Sequence, residues 1–110
     1  MKKHELMAMH INEWLLRQYK DNLSKRGSEY DEDDILKVFT EHFKCDPFER
    51  ARFIDNREIG TIHFVAESIK ISYSTCYYII KLKGIKPVCQ KPAMYNIREV
   101  QEASWGLKAS

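Results

Sequence analysis

The sequence predicts a mainly α-helical protein in which N-terminal helices precede two short helices joined by a tight turn, a small β-hairpin and a last helix. Three observations support this fold class. The stretch from Lys3 to Lys25 contains neither glycine nor proline. Helix-capping side chains stand before most of the later segments with helical apolar spacing. Between residues 84 and 95, one glycine and two prolines interrupt the helical pattern, which is typical of turns and extended chain.

The length and composition limit the class of protein. At 110 residues the chain makes one domain, or a small domain with an extension. An apolar share of 44% and a charged share of 31% exclude a disordered chain. There is no apolar run long enough to span a membrane, and the four apolar residues from Leu6 to Met9 are too few for a signal peptide. We therefore expect a cytoplasmic protein with no membrane partner.

The charge is distributed unevenly along the chain. The total is only +2, but residues 1–58 have a net charge of −2 and residues 59–110 have a net charge of +4. A locally basic segment suits a polyanion such as nucleic acid, although surface lysines scattered by chance would give the same net charge. We divide the chain accordingly into an N-terminal helical region, 1–58, and a second region, 59–110.

The segment from Lys3 to Lys25 is predicted to form one helix with apolar residues on two sides. The two apolar rows are Met7, Ile11, Trp14 and Leu15, and Met9, Leu16 and Leu23. One side would cover the domain's own core and the other a second copy of the chain, so the N-terminal helices are predicted to form a homodimer. A single broad core face is the alternative. Gly27 is the expected end of this helix.

Two further helix starts are visible in the N-terminal region. The acidic run from Asp31 to Asp34 suits the first turn of a helix, because negative charge there complements the helix dipole. Asp46 can cap a shorter helix in which Pro47 occupies the first position and Glu49 completes a capping box.

The region after Gly60 follows the pattern of a helix-turn-helix. Thr61 is expected to cap a helix that ends near Ile69, and Ser72 a second helix that ends at Gly84. In the twenty-residue window from residue 62 to residue 81, small or apolar residues stand at the four places where this motif packs together. They are Ala66, Ile71, Cys76 and Ile79, at places 5, 10, 15 and 18.

The second helix of this pair has two different faces. At 100° per residue, Cys76, Ile79 and Ile80 cluster on one side, while Ser74, Tyr77, Tyr78 and Lys81 cluster on the other. Hydroxyl groups can bond phosphates or base edges, rings can pack on thymine methyl groups, and a lysine can pair with phosphate or guanine. We therefore predict DNA contacts from Ser72, Ser74, Tyr77, Tyr78 and Lys81; the alternative is that the two tyrosines pack on another part of the protein.

An extended stretch from Gly84 to Val88, a turn, and a return strand at Met94-Tyr95 would form a hairpin, after which Asn96 can cap a last helix. Over about residues 59–104, this order of elements resembles the winged-helix architecture of the MerR and phage excisionase superfamily. It also resembles the DNA-binding module of some phage terminase small subunits. The resemblance implies that Lys86 and Lys91, beside the hairpin, approach the minor groove or the backbone. One departure is Lys70, at the ninth place of the motif, where the family usually has glycine.

The sequence offers little for catalysis, metals or cofactors. Its four glycines are scattered and form no phosphate-binding loop. The three cysteines, Cys45, Cys76 and Cys89, lack the spacing of a zinc site and are expected to be reduced and apolar in character. We therefore predict a protein that is not an enzyme and has no metal and no cofactor.

Together these observations predict a sequence-specific binder of double-stranded DNA, acting as a small transcriptional regulator of phage or mobile-element type. Two alternatives remain open. One is a protein-interaction adaptor or antagonist with the same fold. The other is an accessory factor in DNA packaging or recombination.

Overall fold

A computed structural model describes residues 1–109 of the chain. The protein is mainly helical and forms two compact units, Met1–Arg52 and a second unit that begins at Phe53. The described residues form seven α-helices and four two-residue strands. Among these residues, no helix is both long enough and apolar enough to cross a membrane.

The prediction of a single helix from Lys3 to Lys25 is wrong. The structure has α1 (Lys3–Ala8), α2 (Glu13–Gln18) and a short 3₁₀ helix (Lys20–Asn22) in its place. His10 adopts a left-handed backbone conformation with φ of 63°, which interrupts the helix. Asn12 then starts α2, because its side-chain oxygen accepts a hydrogen bond from the Leu15 N–H at 2.9 Å.

Gly27 ends no helix, contrary to the prediction. It lies in the turn between β1 (Lys25–Arg26) and β2 (Glu29–Tyr30), which pair antiparallel with Lys25 opposite Tyr30. Its φ of 61° is left-handed, as a tight hairpin turn requires.

The two helix starts predicted at Asp31 and Asp46 are confirmed. Helix α3 (Glu32–Phe43) follows Asp31, whose carboxylate accepts hydrogen bonds from the N–H groups of Asp33 and Asp34. Helix α4 (Pro47–Asp55) follows Asp46, which accepts from the N–H of Phe48 at 2.8 Å and of Glu49 at 3.2 Å.

Most of the two apolar rows predicted near the N-terminus are buried. The buried members are Ile11, Leu15, Leu16 and Leu23. Met7 and Trp14 are exposed, and the Trp14 side chain is 67% exposed. Both rows therefore contribute to the core, and within these rows only Met7 and Trp14 are exposed.

The second unit contains β3 (Ile59–Gly60), α5 (Ile62–Ser68), α6 (Tyr73–Lys83), β4 (Tyr95–Asn96) and α7 (Ile97–Ala109). Strands β3 and β4 pair antiparallel, with Ile59 opposite Asn96 and Gly60 opposite Tyr95. The three helices enclose one hydrophobic core, whose buried members are Val65, Ala66, Cys76, Ile79, Ile80, Ile85 and Val100.

The expected hairpin after α6 is much reduced. Residues 84–88 form no strand, and the only β-bridge within residues 84–95 joins Cys89 to Met94. The return strand begins at Tyr95 and pairs with β3, which precedes α5, instead of with the chain after Gly84. The predicted last helix is confirmed, because Asn96 accepts a hydrogen bond from the Glu99 N–H at 3.0 Å and Val100 is fully buried.

Candidate nucleic-acid interface

Local hydrogen bonds fix the connection between α5 and α6. Thr61 caps α5 through the Phe64 N–H, and the N–H of Ile71 donates to the Ala66 carbonyl at 3.0 Å. Between the helices, Lys70 has a φ of 58° and thus takes the left-handed conformation expected at the ninth place of the motif. A side chain in this conformation costs about 1 kcal/mol.

Small or apolar residues lie where α5 and α6 pack together. Ala66 on α5 and Cys76 and Ile79 on α6 are all buried, as the sequence predicted. Burial raises the pKa of the Cys76 thiol, so the group is neutral at physiological pH and packs as a small apolar side chain. Among the described residues, no group of His, Cys, Asp or Glu side chains could hold a metal ion.

The face of α6 opposite this core is exposed to solvent. It consists of two rows of side chains at four-residue spacing, one of Tyr73, Tyr77 and Lys81 and the other of Ser74, Tyr78 and Leu82. Both predicted tyrosines lie here, with Tyr77 45% and Tyr78 59% exposed, so neither ring is buried in the core of the second unit.

The row of Tyr73, Tyr77 and Lys81 is held by contacts between its own members. The rings of Tyr73 and Tyr77 are nearly parallel with centroids 6.5 Å apart, and the Lys81 ammonium lies 5.4 Å from the Tyr77 centroid. His63 of α5 extends the row, since its ring centroid is 4.4 Å from that of Tyr73. These contacts order three rings and a cation before any partner arrives.

The row of Ser74, Tyr78 and Leu82 is less constrained. Among the described residues, the Tyr78 ring has no aromatic or cationic partner. Leu82 is 52% exposed, although it is a large aliphatic residue. This row therefore presents a hydroxyl, a phenol and an aliphatic group to whatever approaches α6.

The charge around α6 is positive without nearby acidic residues in the sequence. Between Glu67 and Glu99 the chain has six basic residues and no acidic one. They are Lys70, Lys81, Lys83, Lys86, Lys91 and Arg98. All six are exposed, so this stretch is attractive to phosphate.

The predicted site residues fall into three groups. Ser74, Tyr77, Tyr78 and Lys81 share the exposed face of α6. Ser72 serves as the helix cap, because its hydroxyl accepts from the Thr75 N–H and donates to the Thr75 hydroxyl.

Lys86 and Lys91 lie in the loop after α6. Lys86 lines a shallow groove together with Lys81 and Tyr95, which connects it to the face of α6. Lys91 lies in the turn bounded by the Cys89–Met94 bridge.

Sequence reasoning missed Tyr73, Leu82 and His63. The first two could have been found, because Tyr73 is four residues before Tyr77 and Leu82 four residues after Tyr78. The approach of His63 to Tyr73 depends on how α5 crosses α6, and no sequence signal indicates it.

No protein-family model matches the chain, and comparisons with curated proteins and with solved structures find no match. The resemblance to the MerR and excisionase superfamily therefore stays a prediction. The functional assignment depends on the geometry and chemistry of α6 and its surroundings.

Proposed function

We propose that α5 and α6 form a helix-turn-helix and that α6 enters the major groove of double-stranded DNA. The protein would act as a small sequence-specific transcriptional regulator of phage or mobile-element type. One observation carries this proposal. A helix whose inner face is buried presents three tyrosines, hydroxyl groups and a lysine on its outer face.

The side chains on that face are better suited to contact DNA than to remain exposed to solvent. Exposed aromatic rings gain from packing on sugars or base methyl groups, and hydroxyl groups can bond phosphates and base edges. The six basic residues between Glu67 and Glu99 favour approach of a polyanion. The small total charge of +2 means that affinity has to come from these local contacts.

The loop from Gly84 to Met94 is proposed to act as a reduced wing. Its backbone is closed by hydrogen bonds from the Val88 N–H to the Met94 carbonyl and from the Met94 N–H to the Cys89 carbonyl. Lys86 and Lys91 are exposed on this loop, where their ammonium groups can reach the phosphate backbone beside the groove occupied by α6.

We further propose that the chain works as a homodimer through its N-terminal helices. The exposed Met7 and Trp14 on α1 and α2 support this, since large apolar side chains at the surface are frequent in interfaces. Two recognition helices on one DNA site would multiply the few phosphate contacts available to one.

The test begins with selection of duplexes from a random pool by the full chain, followed by affinity measurement on the best sequence. We expect the double variant Tyr78→Ala/Lys81→Ala to bind this duplex at least tenfold more weakly. A matched control removes another tyrosine–lysine pair, Tyr30 and Lys25, whose ammonium lies 5.0 Å from the ring centroid. The control variant should bind like the unmodified protein, and circular dichroism checks the fold of both.

Equal affinity of the Tyr78/Lys81 variant and the unmodified protein would contradict the proposed contact surface. If the selection enriches no sequence, the protein-interaction adaptor becomes the better assignment. The exposed tyrosines also suit that second function, because tyrosine is enriched where protein interfaces are strongest.

A further inference from the structure

We infer that α6 selects its DNA sequence mainly by the C5-methyl groups of thymine, through Tyr78 and Leu82. This inference rests on the proposed function and names the base chemistry that the same surface reads. Helix α6 lacks the side chains that most often read bases through hydrogen bonds. The residues Tyr73–Lys83 include no arginine, asparagine, glutamine, aspartate or glutamate.

Those five residue types make most of the hydrogen bonds that distinguish base pairs in the major groove. Arginine pairs with guanine through two bonds, asparagine and glutamine do so with adenine, and carboxylates accept from cytosine. Lys81 can donate to guanine, but its ammonium already lies 5.4 Å from the Tyr77 ring centroid. Direct hydrogen-bonded reading of bases by α6 is therefore limited to Lys81 and to hydroxyl groups such as that of Ser74, which do not distinguish one base from another.

Besides hydroxyl groups and Lys81, α6 presents exposed apolar surface. Tyr78 and Leu82 are separated by one turn of the helix and are 59% and 52% exposed, the two most exposed large apolar side chains of α6. The thymine methyl is the one apolar group that natural, unmodified bases display in the major groove. A row of apolar side chains on a major-groove helix is complementary to that group.

The two rows of α6 thus have different roles. Tyr73, Tyr77 and Lys81, with His63 beside them, are ordered by ring and cation contacts and suit the phosphate and sugar backbone. Ser74, Tyr78 and Leu82 face the bases. Tyr78 has no aromatic or cationic partner among the described residues, so its ring is available for a methyl group.

The experiment removes the methyl groups from the DNA and leaves the protein unchanged. In the selected duplex, each thymine is replaced in turn by uracil, which pairs identically and lacks only the C5-methyl. We expect binding to weaken about fourfold for each methyl group that the protein contacts. Replacing thymine by uracil at positions that the protein does not contact should have no effect.

A double-mutant cycle assigns the effect to the side chains. Tyr78→Ala and Leu82→Ala both alter exposed positions. In each variant, the ratio of affinities for the thymine and uracil duplexes should fall towards one at the methyl groups that the replaced residue contacts. Tyr77→Ala is the matched control: it should weaken binding to thymine and uracil duplexes by the same factor.

The outcomes separate this inference from the proposed function. Equal binding to all thymine and uracil duplexes, with specific binding retained, would overturn the inference and leave the DNA-binding function standing. Failure of the chain to bind any duplex would overturn both. A uracil penalty that persists unchanged in the Tyr78 and Leu82 variants would overturn the assignment to this row.

Discussion

The ammonium nitrogen of Lys81 lies 5.4 Å from the centroid of the Tyr77 ring, one helical turn earlier on the exposed face of α6. Tyr77 in turn stacks with Tyr73. The contact keeps the lysine on the outer face, where a phosphate could replace water around the ammonium without displacing the ring. The contact therefore makes Lys81 a candidate for a phosphate contact.

Lys81→Ala should weaken DNA binding and reduce its dependence on salt. If Lys81 neutralises one phosphate, the slope of log affinity against log salt concentration should fall in magnitude by about one. Titrations by fluorescence anisotropy at several salt concentrations measure this slope. Lys20→Ala, which removes an exposed lysine from the first unit, should leave the slope unchanged. An unchanged slope for Lys81→Ala would exclude a phosphate contact.

Lys70→Gly should stabilise the second unit by up to about 1 kcal/mol. Lys70 has a φ of 58°, a conformation that glycine adopts without steric cost. Chemical denaturation provides the free energy of unfolding. The same exchange at Lys37, inside α3, should destabilise by about 1 kcal/mol, because glycine disfavours the helix interior. Destabilisation by both exchanges would show that the turn gains nothing from glycine.

Arg50→Met should leave the first unit equally stable or stabilise it by about 1 kcal/mol. Arg50 is 4% exposed, and among the described residues its buried Nε and Nη1 atoms have no hydrogen-bond partner. Its guanidinium stacks on Phe43 at 3.8 Å, a contact that a methionine thioether can replace.

Thermal unfolding compares Arg50→Met with Arg50→Ala, which leaves a cavity and should lower stability by about 2 kcal/mol. The exposed Arg26→Met serves as the control, with a change within about 0.5 kcal/mol. A loss of stability in Arg50→Met as large as in Arg50→Ala would mean that the buried charge itself is required.

The three thiols should differ in reactivity in the folded protein. Cys45 is partly exposed, whereas Cys76 and Cys89 are buried. The pKa of Cys76 is raised by burial, so little thiolate forms at pH 8 and a thiol reagent should modify Cys45 first. Mass spectrometry after timed labelling measures the order, and in denaturant all three should react alike.

The raised pKa of Cys76 also has a consequence for stability. The unfolded thiol ionises near its usual pKa of about 8.5, while the folded one stays protonated. The stabilisation linked to this group is therefore complete below that pH and declines as the pH rises through the folded pKa. A variant Cys76→Ala should lack this alkaline loss, although it is less stable overall because it leaves a cavity.

The proposed homodimer predicts a mass of about twice 13.1 kDa by light scattering. Trp14→Glu should shift the chain towards the monomer, because it places a charge where the apolar interface is expected. Trp105→Glu changes an equally large exposed residue in the second unit and should leave the mass unchanged. A monomeric unmodified chain would contradict dimerisation.

The sequence by itself determined the helix starts and the division of α6 into two faces. Asp31, Ser72 and Asn96 act on N–H groups two or three residues away, so each cap is visible in a short stretch of sequence. The faces of α6 follow from the 100° rotation per residue, which placed Cys76 inside and Tyr78 outside before any packing was known.

Only the tertiary structure decided where that local pattern is overridden. The break at His10 runs against a continuous apolar pattern, and the core of the first unit uses both apolar rows that it separates. Strand β4 pairs with β3, so that Asn96 lies opposite Ile59, 37 residues earlier, because β3 directly precedes α5 and α7 directly follows β4. Such long-range pairing depends on which elements share a core, and caps and apolar spacing contain no information about it.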